Sequence, residues 1–274
     1  MPSTQAEKAQ RFRELHERTG YFIFPNPWDG MSAKVLEGMG FEALATSSGA
    51  IAGTLGRRDG QISRDESLFN ASVIVSSTDL PVAADLEKGF ADDPAGVAET
   101  IALAAETGLV GGSIEDATGN REQPLFAFDL AVERVAAAVE AARKLPFQFT
   151  LTARTENFLR GNPDLDDTIA RLKAFEKAGA DVLVAPGLPD LAAVRAVCQS
   201  VSKPVNYMQG IPGRSFSAKD LGEAGVKRIS LATSLYRTAM AGLIDAAREA
   251  RERGTFSYVD ATTGERDMNR YVGR

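Results

Sequence analysis

Short apolar runs recur roughly every 20 to 40 residues along the chain, and a stretch of helical periodicity follows each one. The runs lie at 21–25, 43–47, 82–85, 112–115, 149–154, 182–185, 205–208 and 228–231. Each is apolar on both faces, as a strand must be when helices cover the sheet on its outer side. The helical stretches carry their own start and stop signals. Asp93 reads as an N-cap with Pro94 at the first helical position, Val97, Ile101 and Ala104 form the inward stripe, and Gly108 stops it. Asn162 and Pro163 repeat that grammar, with Leu165, Ile169 and Leu172 inward and Gly179 as terminator. Leu130, Val135, Val139 and Ala142 mark another amphipathic helix, and an Ala-rich segment at 234–253 stops at Gly254. A further helix, at about 5–18, precedes the first strand. Eight strand–helix units with no break in composition predict one (β/α)₈ barrel spanning 1–274. The alternative, an open doubly wound sheet, often carries a glycine-rich first turn; here that turn reads Pro25-Asn26-Pro27-Trp28-Asp29-Gly30, without G-x-G-x-x-G.

Composition narrows the class. The chain has 274 residues, 44% hydrophobic and 25% charged, enough to bury a core without staples. The net charge of −6 and the lack of any Lys/Arg run speak against nucleic acid as a partner. No apolar run approaches the length of a membrane helix, and the first 19 residues lack the apolar core of a signal peptide. The expectation is a soluble cytoplasmic protein. A single cysteine, Cys198, excludes an intrachain disulfide framework, and a single histidine, His16, excludes a His-paired zinc site within one chain. His16 reads as a packing or surface residue of the first helix, and Cys198 as a structural thiol.

The candidate chemistry lies where strands end. In a barrel, side chains at the C-terminal ends of strands converge on one mouth. The third strand ends in Asp85-Leu86-Glu87, the fourth in Glu115-Asp116, and the fifth in Arg154-Thr155-Glu156. Carboxylates packed this closely repel unless a cation sits among them, and hard oxygen donors without His or Cys suit Mg²⁺ or Mn²⁺. Arg154 offers a bidentate fork for a carboxylate or phosphate. After the second strand, Thr46-Ser47-Ser48-Gly49-Ala50 exposes hydroxyls and amides to an oxyanion, and Asp59 in the loop at 56–60 is placed to act as a lid residue. Asn206 on the seventh strand, with Arg214 and Ser215 beyond it, offers a site for a second carboxylate.

Taken in order, these segments resemble the isocitrate lyase / phosphoenolpyruvate mutase superfamily over about residues 12–247. The markers are Ser32-Ala33-Lys34, Leu55-Gly56-Arg57-Arg58-Asp59, the run from Leu80 through Asp85, Glu87 and Lys88 to Phe90, Ser113-Ile114-Glu115-Asp116, and Thr152-Ala153-Arg154-Thr155-Glu156. The resemblance implies a (β/α)₈ barrel whose eighth helix is exchanged between subunits of a homo-oligomer, a dimer or tetramer. It also implies Mg²⁺ and a small 2-oxo acid or carboxylate substrate. By position, Asp85 resembles the direct metal ligand, while Glu87 and Glu115 match the acids that hold metal-bound waters. Arg154 matches the arginine that grips the substrate, Ser47, Ser48 and Gly49 the carboxylate-binding loop, and Asp59 the acid of the gating loop. The chain departs from the lyases after the fourth strand, where Ala117-Thr118-Gly119-Asn120-Arg121-Glu122-Gln123-Pro124 replaces Lys-Lys-Cys-Gly-His. Proton transfer then falls to Tyr207, Glu156, Arg121 or a metal-bound water. The expected activity is C–C cleavage of a small 2-oxo or 2-hydroxy di- or tricarboxylate through an enolate. The alternatives are P–C chemistry and non-catalytic binding of a 2-oxo acid.

Overall fold

A computed structural model describes residues 2–272. The chain opens with α1 (Gln5–Glu17), β1 (Phe22–Phe24), α2 (Gly30–Gly38) and β2 (Leu44–Ala45). Two helices, α3 (Ser48–Thr54) and α4 (Arg64–Ser77), lead to β3 (Val82–Asp85). Then come α5 (Pro94–Glu106), β4 (Gly111–Glu115), α6 (Phe128–Arg143), β5 (Thr150–Arg154), α7 (Leu165–Lys177), β6 (Val182–Val184), α8 (Leu191–Ser200) and β7 (Val205–Met208). The last segment holds α9 (Ala218–Glu223), β8 (Arg228–Ser230), α10 (Ser234–Arg253), α11 (Tyr258–Ala261) and α12 (Glu265–Val272).

The strands form one eight-stranded parallel sheet in the order β1-β8-β7-β6-β5-β4-β3-β2. Its two end strands are stitched by the Ala45 amide on the Pro25 carbonyl at 3.0 Å and by Asn26 Nδ2 on the Thr46 carbonyl at 2.9 Å. The sheet therefore curls into a nearly closed (β/α)₈ barrel, as the strand–helix alternation predicts. All eight expected strands are present. β4 begins one residue early, at Gly111, where a Cβ would lie 2.8 Å from the Thr150 carbonyl, so only glycine lets β4 approach β5 this closely.

Outward-facing strand residues such as Leu44, Leu151, Leu183 and Ile229 pack against buried Ile101, Val135 and Phe175 of the surrounding helices. The helix signals hold with one shift. Asp93 caps α5 through the Gly96 amide, and Gly254 ends α10 at φ 64°. The cap of α7, by contrast, is Asp164 and not Asn162: its carboxylate accepts from the Asp166 and Asp167 amides, and an ionised acceptor at a helix N-terminus outdoes a neutral one two residues upstream.

Helices α1 and α10 are held differently. Helix α1 crosses the N-terminal end of the barrel and plugs it. Fully buried Phe12 stacks on Phe24 at 5.3 Å, and His16 meets Phe12 and Phe22 edge-on at 4.7 and 5.1 Å. Burying a phenylalanine in this way stabilises by about 1.5–3 kcal/mol. Helix α10 contributes no buried residue, and Leu243 and Ile244 are exposed. Its first turn is anchored, with Tyr236 edge-on to Trp28 at 5.6 Å. Among the described residues, no helix is long and apolar enough to cross a membrane.

Candidate active site

Strand register sets the depth of each side chain. Glu115 of β4 is in register with Arg154 of β5, and Asp85 of β3 with Ser113, two residues before Glu115. Arg154 Nε lies 2.5 Å from Glu156 Oε1 and 3.4 Å from Glu115 Oε2. Arg160, one helical turn past Glu156, closes the group at 3.1 Å from Glu156 and 3.3 Å from Glu115. Two arginines and two carboxylates thus alternate at the rim. Glu156 is 1% exposed and Glu115 11%, so these charges are weakly screened. Burial pushes the Glu115 carboxyl above the usual range; Arg154 opposes that rise and Glu156 reinforces it. Burial works against the Arg154 charge, yet Glu156, Glu115 and Asp85 together raise its affinity for the proton.

The second group gathers around Asp85. Its Oδ2 accepts from the Ser48 amide at 3.2 Å and the Ser48 hydroxyl at 2.9 Å. The same hydroxyl lies 3.0 Å from Asp59 Oδ1. One O–H has one proton, so it satisfies one of these two carboxylates at a time. Asp59 therefore sits beside Ser48 and Asp85 at the end of the second strand. Its approach needs Gly49, where a Cβ would meet the Asp59 carboxylate at 3.2 Å and Thr233 Cγ2 at 2.8 Å. Glu87, at φ 49°, adopts a left-handed backbone that costs a non-glycine residue roughly 1–3 kcal/mol. Its Oε1 is buried without a hydrogen-bond partner. Burial, then Asp85 and Asp59, push its carboxyl up to about 7.

These donors are all hard oxygens, and a buried carboxylate oxygen with no partner is what a divalent cation or its water would satisfy. Among the described residues no three His, Cys, Asp or Glu side chains form a ready cage. Glu115 is turned toward Arg154 and Arg160, while the Glu87 amide donates to Asp85 Oδ1 at 3.3 Å, which ties these two residues together. The set fits Mg²⁺, which keeps several waters and takes one or two carboxylates, better than an ion requiring a full protein cage.

Ser47, Asp85, Arg154, Asn206 and Ser230 line a cavity of about 70 Å³ inside the barrel, together with Arg228. Asn206 donates to Ser230 Oγ at 3.0 Å and accepts from Arg228 Nε at 2.9 Å. Tyr207 is not in the site. Side chains alternate along β7, so with Asn206 and Met208 inward Tyr207 points outward into the core, its hydroxyl donating to the Arg214 carbonyl at 3.0 Å. Arg214 is tied to the Gly187 carbonyl. Asn120 and Arg121 line a separate cavity at the rim beside Arg160. His16 packs in the barrel floor, and burial, with the Arg228 charge adding, lowers it to about 3. Cys198 is half-buried, and burial pushes its thiol up to about 11, in keeping with a structural role.

Sequence reading missed Arg160 and Arg228. Arg160 had a signal, since it lies four residues after Glu156 and so on the same side of a helical turn. Arg228 had a fainter one: a charge opening an apolar strand, with Ser230 on the same face.

The phosphoenolpyruvate phosphomutase family profile matches residues 12–251. A Burkholderia cenocepacia J2315 structure, whose lyase/mutase assignment is itself provisional, is 52% identical with a TM-score of 0.97, over 98% of each chain. The 2-methylisocitrate lyase of Halalkalibacterium halodurans is 29% identical over 74% of this chain and 68% of its own. The oxaloacetate decarboxylase of Paraburkholderia xenovorans is 29% identical over 93% and 85%. With that profile spanning most of the chain and an acid-and-arginine mouth on a (β/α)₈ barrel, the protein belongs to the isocitrate lyase / phosphoenolpyruvate mutase superfamily and is an enzyme of its lyase/mutase class.

Proposed function

We propose that the chain is a Mg²⁺-dependent C–C lyase that cleaves a small 2-oxo or 2-hydroxy di- or tricarboxylate through an enolate. The observation that carries this reading is the partnerless buried oxygen of Glu87, two residues from Asp85 and within the electrostatic reach of Asp85, Asp59 and Arg154. Asp85 would hold the ion directly, and Glu87 and Glu115 would hold its waters. When bound, Mg²⁺ supplies Lewis-acid stabilisation of negative charge developing on the substrate's carbonyl oxygen.

The chain's own residues do the rest. Arg154 grips a substrate carboxylate with its fork, and the Ser47, Ser48 and Gly49 loop orients it through amides and hydroxyls. Asn206, fixed by Arg228 and Ser230, presents its amide to the same pocket. In a four-carbon 2-oxo diacid, the bond between the third and fourth carbons breaks and CO₂ leaves. The electron pair passes to the carbonyl oxygen as an enolate, and the third carbon then takes up a proton. In a 2-hydroxy acid the hydroxyl proton must be removed as the C–C bond breaks: the carbon bearing it leaves as a 2-oxo acid, the electron pair passes into the carboxylate attached to the other carbon as an enolate, and that carbon then takes up a proton. Asp59, held above the pocket by the Ser48 hydroxyl, is placed to take the hydroxyl proton. Closing Asp59 over the mouth also excludes water that would quench the enolate in the wrong place.

The exposed Leu243 and Ile244 on α10 support a homo-oligomer, a dimer or tetramer in which another subunit covers that face. The activity is tested with a panel of 2-oxo and 2-hydroxy di- and tricarboxylates in Mg²⁺, following release of pyruvate, glyoxylate or CO₂. Turnover by the wild type, at least 10³-fold below it in Asp85→Ala with an unchanged fold, is the expected result. Turnover of phosphonopyruvate alone, seen by phosphorus NMR, would replace this reading with P–C chemistry. Tight oxalate binding without turnover of any substrate would leave a binding protein.

A further inference from the structure

Below the acidic mouth, the barrel interior holds a second arginine that the proposed reaction does not use. Arg228 opens β8 with its side chain inward, and it is 4% exposed. Its Nη2 donates to Thr152 Oγ1 at 3.1 Å, across the barrel on β5. Thr152 precedes Arg154 by two residues on the same face of that strand, so the Arg228 guanidinium reaches one layer below Arg154, about 6.6 Å along β5.

The surroundings of Arg228 lack a counter-charge. Nε donates to Asn206 Oδ1 at 2.9 Å, Nη1 lies 3.3 Å from His16 Nε2, and the guanidinium sits over the Phe24 ring at 4.8 Å. His16 Nδ1 hydrogen-bonds the Phe12 carbonyl at 2.8 Å, which puts the imidazole proton on Nδ1 and leaves Nε2 as a neutral acceptor. All three polar partners are uncharged, and among the described residues no carboxylate forms an ion pair with Arg228. Burial lowers its pKa to about 9, so the guanidinium remains charged at neutral pH. Three of its five N–H groups are used, leaving two. A buried charge is ordinarily paired. This one is not, and it lines the same cavity as Asp85 and Arg154. Ser230, which lines it too, accepts from Asn206 and so has its own O–H free to donate.

We propose that Arg228 is an anion-binding residue of this pocket, holding with Ser230 the inner carboxylate of a small 2-oxo acid whose other anionic end is gripped at the mouth. The inference rests on the active-site reading above and adds the ligand class that the floor accepts. Oxygens held on Arg154 and Arg228 suit a two- to four-carbon acid aligned with the barrel axis. Ser113 and Gly112 line the same cavity beside these two arginines.

The test titrates oxalate into the protein in Mg²⁺ by calorimetry and compares wild type with Arg228→Met, Arg228→Lys and Arg154→Met. Arg228→Met is expected to weaken oxalate at least tenfold, and Arg228→Lys, which keeps charge but loses the fork, about threefold. Weakening below fivefold in a folded Arg228→Met protein overturns the proposal. If Arg154→Met alone loses oxalate, the mouth reading stands and the floor site fails. If the wild type binds no oxalate, both fail. Should Arg228→Met not fold, a crystal structure of the wild type with oxalate decides. An oxalate oxygen within 3.5 Å of an Arg228 nitrogen supports the site, and oxalate bound entirely at the mouth removes it.

Discussion

At the mouth of the barrel, Glu115 and Glu156 share Arg154 and Arg160 while Asp85 and Asp59 share one serine hydroxyl and Glu87 keeps a buried oxygen without a partner; at the floor, Arg228 forms no ion pair with an acid among the described residues. The mouth is therefore rich in negative charge that cations can relieve, and the floor is a lone positive charge that an anion can relieve. The two regions are about two strand residues apart, so one small ligand with a cation at one end and carboxylates at both can answer both demands. The difference teaches that the barrel interior is polarised along its axis. The residues that achieve this are ordinary ones, separated by burial and by which partners each is denied.

The largest effect that would sharpen this contrast is expected from Arg154→Met. It leaves buried Glu156 and Glu115 with only the more exposed Arg160, and a loss of about 3–5 kcal/mol in urea unfolding is expected. Adding Glu156→Gln should restore part of that loss. A change below about 1 kcal/mol would mean that solvent already screens the mouth.

The next effect concerns the floor and its pH dependence. His16 has its folded pKa lowered to about 3 from 6.5, so in acid the unfolded chain takes up a proton that the folded chain refuses. The stability this histidine provides is complete above pH 6.5 and falls as the pH drops from there toward 3. At pH 5 the loss is about 2 kcal/mol, from roughly 1.4 kcal/mol per pH unit. His16→Gln, which keeps an acceptor for Arg228, should flatten that part of the pH–stability curve. An acid limb identical to wild type would place the proton uptake elsewhere.

A smaller change tests the mouth again. Glu87→Gln removes charge from the partnerless buried oxygen and should stabilise the metal-free protein by about 1 kcal/mol at pH 8. The same variant should lose most of the rise in Tm that Mg²⁺ gives the wild type. Loss of stability in chelator would show that Glu87 already has a partner in solution.

Much of this was legible in the sequence. The eight strands were readable because a doubly covered parallel strand is apolar on both faces, and Asp85, Glu115 and Arg154 stood out as charges ending such runs. Tyr207 was misplaced because apolar periodicity does not say which parity faces the barrel axis; one residue decides it, and Asn206 took the inward side. Helix α4 went unread although Ser63 and Glu66 form a capping box, because its inward stripe is diluted by serines and Asn70. Arg228 was only faintly legible, for a different reason. Its meaning comes from what does not surround it, and the absence of a carboxylate within a folded layer has no trace in the local sequence.

The stopper formed by α1 also has a consequence for how the molecule is made. His16 and Arg228 are 212 residues apart in the chain. At ribosomal speeds of about 5–20 residues per second, the first helix waits roughly 10–40 s before its partner strand emerges. During that wait Phe12 can meet Phe24 but the floor is incomplete, so α1 is locked fully in place only after β8 is made.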